Sequence, residues 1–327
     1  MNKIQRKKFK IRYNVNMILR EFENLFNKNK KFDGIIKHDE NLSSHTTMNV
    51  GGKAKLFFEV NSVPSFVFFL EQALKNNMNF FVLGGGSNTI FNDEGIDIAL
   101  STRKLNSIKK ETESSIKVEC GTSWAKLMNF CKNENLGGIE SFCGLSGTCG
   151  GAVFMNATCF SLSVSDILQK VTFFDTKDFL VKEYEFNSSD WSYKSSPFNK
   201  NFSLTEKLFP DKIILDSTFK IKENFDSFKA EEVLNKRKEM GHFNYPSSGS
   251  AFKNKPEESI IAGKLIDECG LKGKIIGNAQ IAPYHANFFI NPEKKATFKD
   301  FLQLKELVEK TVFEQKNIKL EPEIIFV

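Results

Sequence analysis

The chain has 327 residues, 40% of them hydrophobic, which is enough to bury a substantial core and, at roughly 100 to 200 residues per domain, to form two or three domains. Its 46 basic residues outnumber 40 acidic ones by six, and Lys3, Arg6, Lys7, Lys8, Lys10 and Arg12 near the start supply that excess, so no nucleic-acid footprint is indicated. No stretch approaches the roughly 20 apolar residues that span a bilayer, and the start carries charge without an uninterrupted apolar run, which predicts a cytoplasmic protein.

In chain order, Ile18, Phe22, Leu25 and Phe26 recur at helical spacing and predict an amphipathic helix over 17–29 whose apolar face needs a partner. An Asn/Lys-rich linker follows, so residues 1–38 read as an N-terminal extension. A strand at 56–60, a helix from Pro64 through Lys75 and a strand at 79–83 lead into Gly84-Gly85-Gly86-Ser87-Asn88, the strand, helix, strand, glycine-loop order of a nucleotide-binding α/β unit. Strands are expected at 115–120, 171–176 and 212–221, with a helix at 124–134. Charged helical residues at 224–240 lead to a last third with helical patterns at 258–269 and 297–315 around strands near 274–282 and 288–290; Pro322 leaves room for a short final strand, 323–327.

Arginine occurs only at Arg6, Arg12, Arg20, Arg103 and Arg237, so lysine is expected to stand where another chain would use arginine. The six cysteines (Cys120, Cys131, Cys143, Cys149, Cys159, Cys269) include no Cys-x-x-Cys pair and read as reduced, mostly buried thiols.

Three successive residues without Cβ at Gly84–Gly86 let backbone N–H groups converge on a pyrophosphate oxygen, with Ser87 and Asn88 adding side-chain donors. No Gly-Lys-Ser/Thr follows, and the Gly-x-Gly-x-x-Gly spacing is absent, so this is neither a P-loop nor a Rossmann turn. A second loop, Gly144-Leu145-Ser146-Gly147-Thr148-Cys149-Gly150-Gly151-Ala152, has small residues that could lie flat against a planar ring system. Thr46 to Ala54 holds a glycine pair, Gly51-Gly52, which alone reads as a hairpin entrance.

Four motifs in register, Thr46–Gly52, Leu83–Asn88, Gly144–Asn156 and Tyr245–Asn254, resemble the UDP-N-acetylenolpyruvoylglucosamine reductase family, also called UDP-N-acetylmuramate dehydrogenases, in order and spacing over about residues 40–327. The resemblance implies an α+β chain: a two-lobed FAD-binding domain of the vanillyl-alcohol-oxidase or p-cresol-methylhydroxylase type (39–222, lobes 39–105 and 106–222), then a smaller α+β substrate-binding domain (223–327) whose final strand returns to the active site. It implies non-covalent FAD, with Gly84, Gly85, Gly86, Ser87 and Asn88 at the pyrophosphate and Gly144, Ser146, Gly147, Thr148, Gly150, Gly151 and Ala152 beside the flavin. NADPH would be a transient hydride donor, and UDP-N-acetylglucosamine enolpyruvate the second substrate, in peptidoglycan precursor synthesis.

Hydride addition to an enolpyruvyl methylene leaves charge spread over the neighbouring carbon and carboxylate, so the site needs a cation there and a proton donor at the carbanion carbon. The resemblance assigns the donor to Ser250 and a second acid to Glu323, with Glu321 as fallback; a carboxylate beside a negative intermediate works only when protonated or paired. The family's Tyr-Arg-x-Ser is Tyr193-Lys194-Ser195-Ser196 here, so Lys194 takes the arginine's place and the bidentate fork is lost, unless Arg237 or another cation compensates. Tyr193, Lys253 and Asn254 are expected to bind substrate, His285 reads as structural, and the insertion 199–211 is either a lid or a tolerated loop. Two alternatives remain: another flavin oxidase or dehydrogenase of the same fold, with a covalent link from Cys143, Cys149 or Cys159, and a degenerate binder of FAD or UDP-sugar.

Overall fold

A helix opens the computed structural model, which describes residues 15–327. This helix, α1 (residues 15–24), and the turn after it bury Leu19, Phe22 and Phe26 on one face, while Ile18, expected on that face, is exposed. The face finds its partner in the first sheet and the helix behind it: the Phe26 ring meets Phe58 at 4.9 Å and stacks on Phe69 at 5.6 Å. Phe26→Ala is therefore expected to destabilise the protein by about 3–5 kcal/mol, read as the shift of a denaturant midpoint. A change below about 1 kcal/mol would show that Phe26 adds nothing to the core.

β1 (Gly34–Asn41) pairs antiparallel with β2 (Lys53–Val60) from Gly34↔Val60 onward, so residues 34–38 of the stretch read as an extension are built into the first sheet, while residues 1–14 of it lie outside the described residues. Its charged side chains fit an edge strand and give no apolar alternation to mark it in the sequence. α2 (Val63–Lys75) starts at Ser62, whose side chain accepts from Ser65 N, and Pro64 costs nothing in the first turn, where N–H groups have no partner. It leads to β3 (Phe81–Leu83), and after the glycine triplet come β4 (Thr89–Ile90) and β5 (Ile96–Ser101). β5 lies between β2 and β3, parallel to both, giving the order β1-β2-β5-β3.

The second lobe runs through β6 (Ile108–Thr112), β7 (Ser115–Glu119), α3 (Trp124–Asn133), β8 (Leu136–Gly137), α4 (Cys149–Phe154), the hairpin β9 (Thr158–Cys159) and β10 (Leu162–Ser163), and α5 (Val164–Ile167). β11 (Leu168–Asp175), β12 (Leu180–Glu185), β13 (Lys212–Lys220) and β14 (Lys222–Glu223) complete it. Its antiparallel sheet is ordered β12-β11-β13-β7-β6. β13 is central and buries successive residues from Ile213 to Phe219, so both its faces are covered.

α6 (Ser227–Glu239), capped by Asp226, precedes the last unit: β15 (Ser247–Ser250), α7 (Ala262–Glu268), β16 (Ile275–Ile276), β17 (Ala279–Ile281), β18 (Phe288–Ile290), α8 (Phe298–Lys316) and β19 (Ile325–Phe326). The helix expected over 258–269 is only α7; a 3-10 turn at Pro256–Glu258 and the Lys255↔Ile260 bridge occupy its start. α8 opens with a Thr297/Asp300 capping box, buries Phe301, Leu304, Val308 and Val312 on one face, and stops at left-handed Asn317. β19 leaves this unit and pairs in parallel with β4, Ile325↔Thr89 and Phe326↔Ile90. Among the described residues no helix is long and apolar enough to cross a membrane.

Candidate active site

The two glycine loops interlock. A Cβ on Gly85 would lie 2.5 Å from the Gly147 Cα, one on Gly147 would lie 2.4 Å from Ser87 Oγ, and one on Gly84 would lie 2.5 Å from Thr148 Oγ1. Backbone meets backbone here because nothing larger than hydrogen separates the lobes. Gly86, at φ +63, also abuts the His45 carbonyl, and Thr47 N donates to Gly86 O. The Thr46–Gly52 segment thus braces the triplet, and it also reaches the last unit, where Asn291 Nδ2 donates to Met48 O.

Arg103, not singled out in the sequence, explains the loop's orientation. Its guanidinium donates to the carbonyls of Gly84 at 3.3 Å, Gly85 at 3.0 Å and His45 at 3.0 Å. In a trans peptide the N–H points opposite its C=O, so tying these carbonyls on one side turns the amides of Gly85 and Gly86 to the other. An arginine just after a strand carries no local signature of such a role; the signal is tertiary.

Both loops wall a cavity of about 1310 Å³, counting its open mouth. Gly84, Gly85, Gly86, Ser87, Asn88, Ser146, Gly147, Thr148, Gly150, Gly151 and Ala152 line it, and so do Lys194 and Glu323. Gly144 does not: it packs against Arg237, Leu234 and Phe243, the first two on α6. Ser248 lines the cavity too, and its Oγ is buried without a hydrogen-bond partner, the condition of an atom that a bound ligand satisfies.

Lys194 Nζ meets Glu323 Oε1 at 2.5 Å, and both side chains are about nine-tenths buried. The carboxylate is thus paired. Lys194 stands at φ +55, a left-handed conformation that costs a side-chain-bearing residue roughly 1 kcal/mol. Its turn is held from α4, where Ser196 Oγ donates to Phe154 O, and from Asn156, whose Nδ2 donates to Ser192 O. Glu323 is fixed on both sides: its N donates to Ala251 O at 2.8 Å, and its O accepts from Asn88 Nδ2 at 2.9 Å. The final segment therefore joins the Gly84–Asn88 loop to the end of the strand that carries Ser250. Glu321, by contrast, is half exposed and paired with Lys253, away from the cavity wall.

Tyr193, Ser250, Lys253 and Asn254 lie around this pair but off the cavity wall. The Tyr193 ring lies 5.7 Å from Lys194 Nζ, and burial raises its phenol above the usual range, against the pull of Lys194 and Asn254. Asn254 Oδ1 accepts from Ala262 N, at the start of α7. Arg237 does not supply a second cation to the cavity: its Nε donates to Cys143 O and its Nη2 to Cys159 Sγ. His285 stacks on Phe288 at 3.9 Å, and burial holds its imidazole below the usual range, as expected of a structural histidine.

Cys143, Cys149 and Cys159 are buried and off the wall, and burial raises each thiol, which leaves little thiolate for a flavin link. Cys120 does reach the wall and is raised by burial as well. The insertion 199–211 contributes Phe202, Leu208 and Pro210 to the cavity, and Phe209 stacks on Phe80 of the first lobe at 4.4 Å. It bridges the lobes as a wall.

A two-lobed frame with a cradle of Cβ-less backbone, an apolar cavity floor and an orphaned hydroxyl is that of an FAD-binding flavoenzyme of the vanillyl-alcohol-oxidase or p-cresol-methylhydroxylase type. Residues 54–181 match the family described as "FAD binding domain", and residues 241–327 match "UDP-N-acetylenolpyruvoylglucosamine reductase, C-terminal domain". UDP-N-acetylenolpyruvoylglucosamine reductase of Treponema denticola is 39% identical over 311 residues, covering 90% of this chain and 94% of the relative. That of Fusobacterium nucleatum is 36% identical, covering 88% and 98%. The crystal structure of the Thermus caldophilus enzyme superposes with a TM-score of 0.69 at 28% identity, covering 90% of this chain and 99% of that one. The chain belongs to the UDP-N-acetylenolpyruvoylglucosamine reductase family.

Proposed function

We propose that this chain reduces UDP-N-acetylglucosamine enolpyruvate to UDP-N-acetylmuramate, drawing electrons from NADPH, as a cytoplasmic step of peptidoglycan precursor synthesis. The observation that carries the reading is the convergence of Lys194 and Glu323 on the wall formed by both glycine loops. Gly84 to Asn88 and Ser146 to Ala152 would hold FAD, which when bound supplies the hydride for this reaction.

The chain's own residues supply the rest. The Lys194 ammonium faces the substrate carboxylate and stabilises the charge that spreads onto it when hydride reaches the methylene carbon. It does so as a point charge without a fork, which places more of the orientation on neighbouring groups. Ser250 delivers a proton to the adjacent carbon, and Glu323 handles the proton behind it. Tyr193, Lys253 and Asn254 are assigned to the UDP-sugar. The insertion 199–211, walling the cavity, excludes water from the reacting carbon.

The test is a visible spectrum of the purified protein without oxygen. The flavin bands are expected to bleach with NADPH and to return on adding UDP-N-acetylglucosamine enolpyruvate. Bleaching without return would overturn the reductase reading.

A further inference from the structure

We infer that Glu323 occupies, in the free enzyme, the place at Lys194 that the substrate carboxylate takes, so that substrate binding is coupled to the uptake of one proton by Glu323. The inference rests on the function proposed above and adds a linkage to it.

Lys194 and Glu323 form a nine-tenths-buried pair with no net charge. Both side chains ride on fixed backbone. The Glu323 backbone is pinned by Ala251 O and Asn88 Nδ2, and the Lys194 turn by Phe154 O and Asn156. An arriving carboxylate therefore competes for one ammonium with a carboxylate already there. Two carboxylates crowded against one ammonium in a desolvated site repel each other, and protonation of one relieves the repulsion.

Among the described residues, the other groups facing the pair do not relieve this. Tyr193, from the same turn, and the Cys159 thiol, from the β9 hairpin, are raised by burial and stay neutral. Arg237 on α6 is engaged with Cys143 O and Cys159 Sγ, and Lys253 is paired with Glu321. Lys212, elsewhere on the wall, lies over the Phe173 ring at 5.5 Å.

The binding step balances: the substrate carboxylate gains the Lys194 ammonium as its partner, Glu323 loses it, and one proton from solvent converts the Glu323 carboxylate to the acid. That proton is the one the reduction consumes besides hydride, so the site is charged with it as the substrate arrives.

The measurement is isothermal titration of UDP-N-acetylglucosamine enolpyruvate into the oxidised, FAD-loaded protein at one pH, in phosphate, HEPES and Tris, whose ionisation heats differ. The apparent enthalpy is expected to follow the buffer ionisation heat with a slope of about one proton, and affinity to fall by up to about tenfold per pH unit on the alkaline side. UDP-N-acetylglucosamine, which lacks the carboxylate, should show a slope near zero, and so should the substrate with Glu323→Gln. Substrate that binds the unaltered protein with zero slope would overturn the inference and leave the reductase reading intact. Substrate that does not bind at all would overturn both.

Discussion

Ser250→Ala is expected to reduce its flavin with NADPH at the unaltered rate while returning electrons to the enolpyruvyl substrate about 10²- to 10⁴-fold more slowly, the usual contribution of a positioned proton donor. The two half-reactions separate because only the second requires a proton on substrate carbon. The substitution is structurally mild: Ser250 ends β15 opposite Phe288, and it is Ala251 beside it that holds Glu323. Anaerobic stopped-flow absorbance, one half-reaction at a time, makes the comparison. Equal slowing of both halves would remove the role from Ser250. Full retention of the second, with its loss in Ser248→Ala, would transfer the role to the buried, unpartnered Ser248 hydroxyl.

Gly85→Ala is expected to weaken FAD binding by one to two orders of magnitude. The added Cβ meets the Gly147 Cα at 2.5 Å and its carbonyl carbon at 3.0 Å, both main chain, so no flexible side chain can yield. Overpacking of this kind costs roughly 1–3 kcal/mol, and each 1.4 kcal/mol is about tenfold in affinity. Gly85 is not at positive φ, unlike Gly86, so the effect is a clean steric one, undiluted by backbone strain. Equilibrium dialysis of apoprotein with FAD measures it, and an unchanged dissociation constant would show that the lobes separate freely.

The two glycine loops that wall the cavity were legible because they are written in composition: residues without Cβ cluster at Gly84–Gly86 and again at Gly147 and Gly150–Gly151. Which glutamate reaches the cavity wall was legible only to within two residues. Glu321 and Glu323 flank Pro322, and what separates them is Lys253 at one and Lys194 at the other, a choice made by tertiary pairing. Arg237 looked available as a substitute cation, but its donors are taken by Cys143 and Cys159, which sequence spacing does not disclose. Gly144, grouped with the flavin loop by adjacency, turned out to be a packing position under α6. Among the strands, β5 was missed although Ile96, Ile98 and Leu100 alternate, because Asp97 and the preceding Gly95 break the apolar run. β12 was missed for the same reason as β1: on a sheet edge its side chains are largely exposed and carry no buried stripe.

The hydrogen bond from Asn88 to Glu323 closes a loop of 235 residues. At a synthesis rate of roughly 5 to 20 residues per second, about ten to fifty seconds separate the emergence of these two residues from a ribosome. The second glycine loop, Arg103 and the Lys194 turn are made within that interval, and β19 comes after them. The nascent chain is thus expected to pass through a stage in which the flavin cradle exists and the acid does not. A newborn molecule that captures its cofactor then is a flavin carrier first and becomes a reductase only when its last strand docks.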